Sequence, residues 1–199
     1  PFTVVLLTQL LCLRVDVGTR VPAGLIGNLT SLQELWIYPA MKDFSMGFAT
    51  AMQFVKDLGK LSELRVLKTR IHGWDQSMEI ALVESLHNFH KIQLLELHGE
   101  SYLGKGVTWE TGFVSSQRLR YMSLACVQLT RLPAWMNSSL LPNLSYLVVN
   151  VQFWQEQDME TLGRMPELCS LELQSCNIRV VNIKHTCGDI GYFQKLRSL

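Results

Sequence analysis

Charged residues are scarce in this sequence, and the two signs nearly cancel. Lys and Arg together number 18 and Asp and Glu number 17 among 199 residues, which leaves a net charge of +1. A chain with so little net charge offers no electrostatic footprint for a polyanion, so nucleic-acid binding is not expected. Hydrophobic residues make up 48% of the chain, which excludes an intrinsically disordered protein.

Long apolar runs and paired cysteines are also missing. No 18 consecutive residues are apolar, so no membrane-spanning helix is expected. The five cysteines match neither a disulfide framework nor a metal-binding spacing, which favours reduced thiols and a cytoplasmic location. Three Asn-x-Ser/Thr sequons would suit a secreted protein, but so short a motif arises easily by chance; they begin at Asn28, Asn137 and Asn143.

Leucine is what the sequence has in excess, and it recurs in phase. It occurs 33 times, and apolar residues repeat at offsets of 3, 6 and 8 from a starting position. Eight copies of this pattern follow one another at a mean spacing of about 27 residues, close to that of leucine-rich repeats. The copies start at Leu7, Leu29, Leu61, Phe89, Ser116, Leu141, Met165 and Phe193, and the last is truncated.

This repeat predicts an α/β solenoid. The last two apolar positions of each copy are two residues apart, which is typical of a β-strand with one buried face. One copy cannot bury that face alone, whereas stacked copies form a continuous core. We therefore expect one leucine-rich repeat domain over residues 1–199, a horseshoe of about eight repeats. Its parallel sheet would line the concave face, with helices and irregular turns on the convex face. Strict recurrence of one phased motif disfavours a generic parallel α/β sheet.

The segments between the strands predict connections of different kinds. Helices are expected over residues 43–61, over residues 75–89 with Asp75 as the N-cap, and over residues 154–165. The connections that contain Pro22 and Pro133 are too short for much helix, so they predict turns or short 3₁₀ pieces.

Two short motifs stand out within residues 118–149. They are L-P-x-W at residues 132–135 and L-P-x-L at residues 141–144. Residues 21–37 contain a similar segment, in which an apolar residue and a proline precede the phased leucines. With these motifs, the sequence resembles the leucine-rich repeat region of plant nucleotide-binding, leucine-rich-repeat disease-resistance proteins, in particular the coiled-coil type abundant in cereals.

That resemblance implies a non-catalytic protein-interaction module of an intracellular immune receptor. By the same resemblance, the module recognises a pathogen effector or a guarded host protein in plant defense. It also packs on its own nucleotide-binding domain and holds that domain inactive. We expect the sequence to be a fragment of such a receptor, cut through repeats at both ends.

Motifs for chemistry are weak. GESYLGK at residues 99–105 matches a phosphate-binding loop until Gly106, where Ser or Thr would hold Mg²⁺, so a surface loop is expected. His87 and His90 lie near a predicted helix end, where a cation is favourable without any metal. Packing accounts for Cys169 and Cys176. No catalytic, cofactor-binding or metal-binding residue is expected, and the chain is not expected to be an enzyme.

The outward strand positions are the remaining candidates for function. Trp36 and Tyr38 alternate with core residues, so both are expected to be exposed, and Tyr121 and Tyr146 fall in one column of adjacent repeats. Tryptophan, tyrosine and arginine dominate binding hot spots. The predicted partner-binding residues are Arg14, Trp36, Tyr38, Lys68, Arg70, Glu96, His98, Tyr121 and Tyr146.

The charged members of this set have a second interpretation. Lys68 and Arg70 are expected beside Glu96 and His98, where they form either part of the binding face or a cross-strand pairing worth under about 1 kcal/mol. On the fifth strand, the predicted outward positions also include Ala125. It is expected to align with the third outward residue of the other strands.

Two other protein classes remain open at this stage. The sequons favour an extracellular repeat ectodomain of a receptor-like kinase or receptor-like protein. The irregular repeat length, the unpaired cysteines and the lack of a Gly-x-Ile-Pro step oppose it. A ubiquitin-ligase adaptor with leucine-rich repeats would need an F-box-like segment, which these residues do not contain.

Overall fold

The repeats stack into one parallel sheet. The computed structural model describes residues 7–16, 24–38, 48–72, 76–100, 109, 117–174 and 192–198. Within these residues, seven strands pair in chain order. They are β1 Cys12–Val15, β2 Glu34–Ile37, β3 Val66–His72, β4 Leu94–Glu100, β5 Tyr121–Leu129, β6 Tyr146–Val151 and β7 Ser170–Gln174. A single parallel bridge between Ser170 and Ser198 places the eighth copy beside β7.

One backbone hydrogen bond recurs in every copy and holds the register. The residue before each strand donates its N–H to the carbonyl of the equivalent residue in the preceding copy. The series starts with Gln33 donating to Leu11 and ends with Arg197 donating to Cys169, both at 2.8 Å. The donors between Gln33 and Arg197 are Arg65, Gln93, Arg120, Ser145 and Cys169. The predicted α/β solenoid of about eight leucine-rich repeats is confirmed.

The phased apolar positions form the core. In the second copy, Leu29, Leu32, Leu35 and Ile37 are all buried, and the same positions continue the cluster through the later copies. Each buried leucine contributes roughly 1.5–3 kcal/mol of transfer free energy, which explains why the pattern is maintained. Thr69 is an exception in the third copy: it is fully buried, and its hydroxyl has no hydrogen-bond partner among the described residues.

The described helices lie inside the predicted ranges but are shorter. They are α1 Phe48–Leu58, α2 Gln76–Leu86 and α3 Glu156–Gly163. The expected start of α3 at residue 154 is wrong, because the Asp158 carboxylate accepts the Gln155 N–H at 2.8 Å and caps the helix there. Asp75 and its predicted capping role lie outside the described residues. The predicted short connections are a 3₁₀ helix, Ile26–Asn28, and turns between residues 130 and 141.

Connections of neighbouring copies pack closely enough to require glycine. A Cβ atom on Gly27 would lie 2.6 Å from Oδ1 of Asp57 and 2.9 Å from Cδ of Lys60. Asp57 is buried, and its Oδ1 accepts hydrogen bonds from Gln53 at 3.0 Å and from Lys60 at 2.9 Å. The connections of the first two described copies are therefore packed tightly against each other, on the side of the sheet opposite the outward residues.

Candidate partner-binding surface

The outward side chains form columns across the sheet. Parallel pairing aligns equivalent residues, so side chains two residues apart along a strand belong to neighbouring columns. The first column contains Cys12, Glu34, Val66, Leu94, Tyr121, Tyr146 and Ser170. The second contains Arg14, Trp36, Lys68, Glu96, Ser123, Val148 and Glu172. Both columns agree with the sequence prediction.

The third column is interrupted at β5. Arg70 lies opposite His98, and Asn150 lies opposite Gln174, as the repeat predicts. Between them the register shifts after Leu124, so that Gln128 rather than Ala125 lies opposite Asn150. The expected position of Ala125 is therefore wrong, because β5 contains an irregularity that inserts residues into the column.

Trp36 is outward-facing but covered by its neighbours. The Arg14 guanidinium lies 4.0 Å from the centre of the indole, and the Lys68 ammonium lies 4.6 Å from it. Arg14 and Lys68 belong to the strands on either side of Trp36, so the indole is held between two cations. Its Nε1–H is buried and has no hydrogen-bond partner among the described residues. The expectation of an exposed Trp36 is wrong because these long side chains half-bury it.

Tyr38 reaches across β3 to contact β4. Its hydroxyl donates a 2.7 Å hydrogen bond to Oε1 of Glu96, and its ring packs edge-on against His98 at 5.9 Å. Tyr38 is therefore also half-buried rather than exposed, which corrects the second expectation. Burial raises the pKa of Tyr38, and the hydrogen bond to Glu96 raises it further, so the hydroxyl stays protonated at neutral pH.

Glu96 joins these groups into one cluster. Its carboxylate accepts the Tyr38 hydroxyl, lies 3.0 Å from Nε2 of His98, and lies 3.0 Å from Nζ of Lys68. Burial raises the pKa of Glu96, but the hydrogen bonds from Tyr38, His98 and Lys68 outweigh it and hold the pKa below its usual value. We call the connected set the Glu96 cluster; its members are Arg14, Trp36, Tyr38, Lys68, Glu96 and His98.

Tyr121 and Tyr146 form a separate aromatic pair, the tyrosine stack. Their rings are nearly parallel at 5°, with centroids 4.4 Å apart. Burial raises the pKa of Tyr121 to about 12, with a further contribution from Tyr146. Adjacent copies present the two rings side by side, as predicted from their shared column. The two half-buried rings lie beside the Glu96 cluster and present aromatic edges on the outward face.

The four predicted charges do not behave alike. Lys68 on β3 is paired with Glu96 on β4, which agrees with the interpretation as cross-strand pairing, whereas the contact between Glu96 and His98 lies within β4. Arg70 is half-buried opposite His98, and among the described residues no carboxylate forms an ion pair with it. Arg70 is thus the one member of the four whose charge is not matched within the described face.

Sequence reasoning missed the contacts that connect the predicted residues. The Arg14–Glu34 ion pair at 3.2 Å adds a residue that the column contains but the prediction of binding residues omitted. Opposite charges at diagonal positions of neighbouring strands, here Arg14 on β1 and Glu34 on β2, could have indicated it. Nothing in the repeat pattern indicates that Tyr38 crosses a strand to reach Glu96, because that contact depends on side-chain length and not on register.

The described residues also bear on the weaker motifs. His87 donates an Nδ1–H hydrogen bond to the Val83 carbonyl at 2.8 Å, near the end of α2, as expected for a residue that completes a helix terminus. No group of three His, Cys, Asp or Glu side chains in the described ranges is placed to hold a metal ion. No helix in those ranges has the length and apolar character needed to span a bilayer. Most of the glycine-rich segment 99–105 lies outside the described residues.

Comparison with known proteins adds the family. A family model described as a leucine-rich repeat region matches residues 1–199, which is the whole chain. No curated protein matches the sequence. Leucine-rich repeat regions are generally non-catalytic and serve in protein–protein interaction.

Proposed function

Because the chain belongs to the leucine-rich repeat region family, we propose that its outward sheet face is the recognition surface of a plant intracellular immune receptor. The receptor is of the nucleotide-binding, leucine-rich-repeat type, and the recognised protein is a pathogen effector or a guarded host protein. The cytoplasm is its location, and the same repeat region packs on the receptor's nucleotide-binding domain and holds it inactive. The L-P-x-W and L-P-x-L motifs support the assignment to this receptor class.

The observation that carries recognition by this face is its pre-organisation. Six of the nine candidate residues are linked in the Glu96 cluster by hydrogen bonds, ion pairs, cation–π contacts and one ring–ring contact, at distances between 2.7 and 5.9 Å. Side chains that are already held lose less conformational entropy when a partner binds. Aromatic and arginine side chains presented in this way are the residue types that dominate protein interfaces.

Activation would follow from a shift between two states of the receptor. A partner that binds the outward face more tightly in an open state than in the closed one favours release of the nucleotide-binding domain. Moving that equilibrium from 1:99 to 99:1 needs about 10⁴-fold tighter binding to the open state. Two aromatic anchors at about 2 kcal/mol each account for a large part of such a difference.

The full-length open reading frame tests the receptor class directly. A phosphate-binding-loop domain encoded upstream of these repeats is the expected result. An encoded signal peptide with a transmembrane helix would instead assign the chain to the extracellular class and overturn the proposal.

Transient expression in leaves tests the role of the face. In the full-length receptor, Trp36→Ala with Tyr38→Ala is expected to change cell-death output, either losing response to the partner or releasing inhibition. Ile80→Ala, at an exposed position of α2 away from the sheet, is the matched control and is expected to behave as wild type. Equal output from the aromatic and control variants, at equal protein levels, would contradict recognition through this face.

The extracellular alternative gains no further support from the sequons. The side-chain amides of Asn28, Asn137 and Asn143 each donate to a backbone carbonyl, those of Gly24, Ala134 and Gln117, at 2.6–3.1 Å. Asn28 and Asn137 therefore have a local role in a turn, and Asn143 joins its copy to the preceding one, which accounts for their presence without a glycan.

A further inference from the structure

Arg70 differs from the other cations of the outward face. Arg14 is paired with Glu34 at 3.2 Å and Lys68 with Glu96 at 3.0 Å, so both of those charges are matched inside the face. Arg70 is half-buried, and no described carboxylate pairs with it. A partly desolvated guanidinium with five N–H donors attracts a carboxylate strongly, because the fork geometry allows two parallel hydrogen bonds.

Among the described side chains, the groups that face Arg70 supply no free anion. His98 is its register partner on β4, and Lys68 precedes it on the same face of β3. The described carboxylate of the second column on β4, Glu96, is already bound by Tyr38, His98 and Lys68. Burial and the bond to Glu96 raise the pKa of Tyr38, so that side chain does not supply a negative charge either.

The distance between the tyrosine stack and Arg70 follows from the spacing of the strands and of the residues along them. The stack belongs to β5 and β6, two and three strands from β3, which is about 10–14 Å across the sheet. Arg70 lies four residues beyond the first column, which adds about 13 Å along the strand. The direct separation is therefore about 16–20 Å. In an extended chain, side chains six residues apart point the same way and lie about 20 Å apart.

We propose that the outward face recognises an extended protein segment that places a carboxylate on Arg70 and, six residues away, an aromatic or aliphatic side chain on the tyrosine stack. This rests on the proposed function of the face and names the chemistry of its partner. The Glu96 cluster acts between the two anchor points as a preformed support, and Arg70 supplies the charge selectivity. A segment with a basic residue at the first anchor is rejected, because it would meet Arg70 and Lys68, and no described carboxylate there is free to offset their charges.

A random twelve-residue peptide display library selected on the 199-residue chain tests this partner chemistry. The expected outcome is enrichment of Asp or Glu at one position and of an aromatic or aliphatic residue six positions away. The most enriched peptide is then measured by isothermal titration calorimetry. Arg70→Gln is expected to weaken its binding about 10- to 100-fold, the loss of a charge-assisted hydrogen bond.

Matched variants make the result specific to Arg70. Arg118→Gln removes an exposed cation outside the columns and is expected to leave affinity unchanged. Arg70→Lys keeps the charge without the fork, so it is expected to lose less than Arg70→Gln, which guards against a general folding defect. Replacing the acidic residue of the peptide by its amide should produce no further loss in Arg70→Gln, as a double-mutant cycle requires.

The outcomes separate this inference from the function on which it rests. Peptides that bind through Trp36 or Tyr121 but ignore Arg70→Gln would overturn the acidic–apolar motif and leave recognition by this face standing. Enriched peptides insensitive to every outward-face substitution would overturn both. A library that yields no enriched motif would also contradict the inference, since a short linear segment is what it requires.

Discussion

Glu96→Gln is the sharpest test of the outward face as a pre-organised unit. The substitution keeps the shape of the side chain but removes the charge that holds Lys68 at 3.0 Å. The amide oxygen can still accept from Tyr38, whereas its nitrogen meets donors from Lys68 or His98. Hydrogen bonds to a charged group are worth about 1.5–3 kcal/mol, and this side chain is only 16% exposed. We therefore expect a loss of about 1–3 kcal/mol in the free energy of unfolding at pH 7.

The pH dependence supplies a second signature of the same substitution. The pKa of Glu96 in the folded protein lies below its ordinary value, so wild type gains this stability above the unfolded pKa of about 4.3. The contribution disappears as the pH falls from that value through the lower folded pKa. Glu96→Gln does not titrate, so the difference between the two proteins is expected to be large at pH 7 and to shrink toward pH 3.

Urea unfolding followed by circular dichroism at both pH values measures these differences. In a chain of this size, 1 kcal/mol corresponds to a shift of about 2–4 °C in Tm, so thermal melts provide an independent reading. Glu63→Gln is the matched control: Glu63 pairs with Lys91 at 2.6 Å, but its side chain is 40% exposed. Exposed pairs contribute under about 1 kcal/mol. Equal losses for Glu96→Gln and Glu63→Gln, or an unchanged difference at pH 3, would refute the argument.

Three further predictions concern single positions. Thr69→Val replaces an unpartnered buried hydroxyl with a methyl group and is expected to raise the free energy of unfolding by about 1 kcal/mol in urea titrations; a loss instead would show that the hydroxyl is satisfied. Gly27→Ala drives a Cβ to 2.6 Å from Asp57 and is expected to lower Tm, through a cost of about 1–3 kcal/mol; an unchanged melt would mean that the connection is loosely packed. Tyr146→Ala is expected to lower the Tyr121 pKa from about 12 toward 10 in an ultraviolet titration, and an unmoved pKa would contradict the stack.

The fold was predictable because the repeat carries its own register. A strand alternates its faces every two residues, so the spacing of Leu35 and Ile37 also identifies Trp36 as outward. Repeating the motif eight times then aligns equivalent positions without any long-range information. The irregularity in β5 could not be predicted in this way, because extra residues between Leu124 and Gln128 leave the phased positions of the following copy intact.

The sequence alone determined which residues could share a column of the outward face. It determined this through period and register, which are properties of the backbone and of the burial of leucine. Thus Tyr121 and Tyr146, 25 residues apart in the chain, were assigned to neighbouring positions and lie stacked at 4.4 Å.

Only the tertiary structure decided how those side chains share the face. Trp36 is enclosed by two cations, Tyr38 crosses a strand to bind Glu96, and Arg70 has no described carboxylate partner. These outcomes depend on rotamers, side-chain reach and competition for one carboxylate, and a one-dimensional pattern contains none of them. The spacing of the leucines is enough to define the scaffold. The distribution of charge over the outward face is decided only when β1 to β4 bring their side chains into contact.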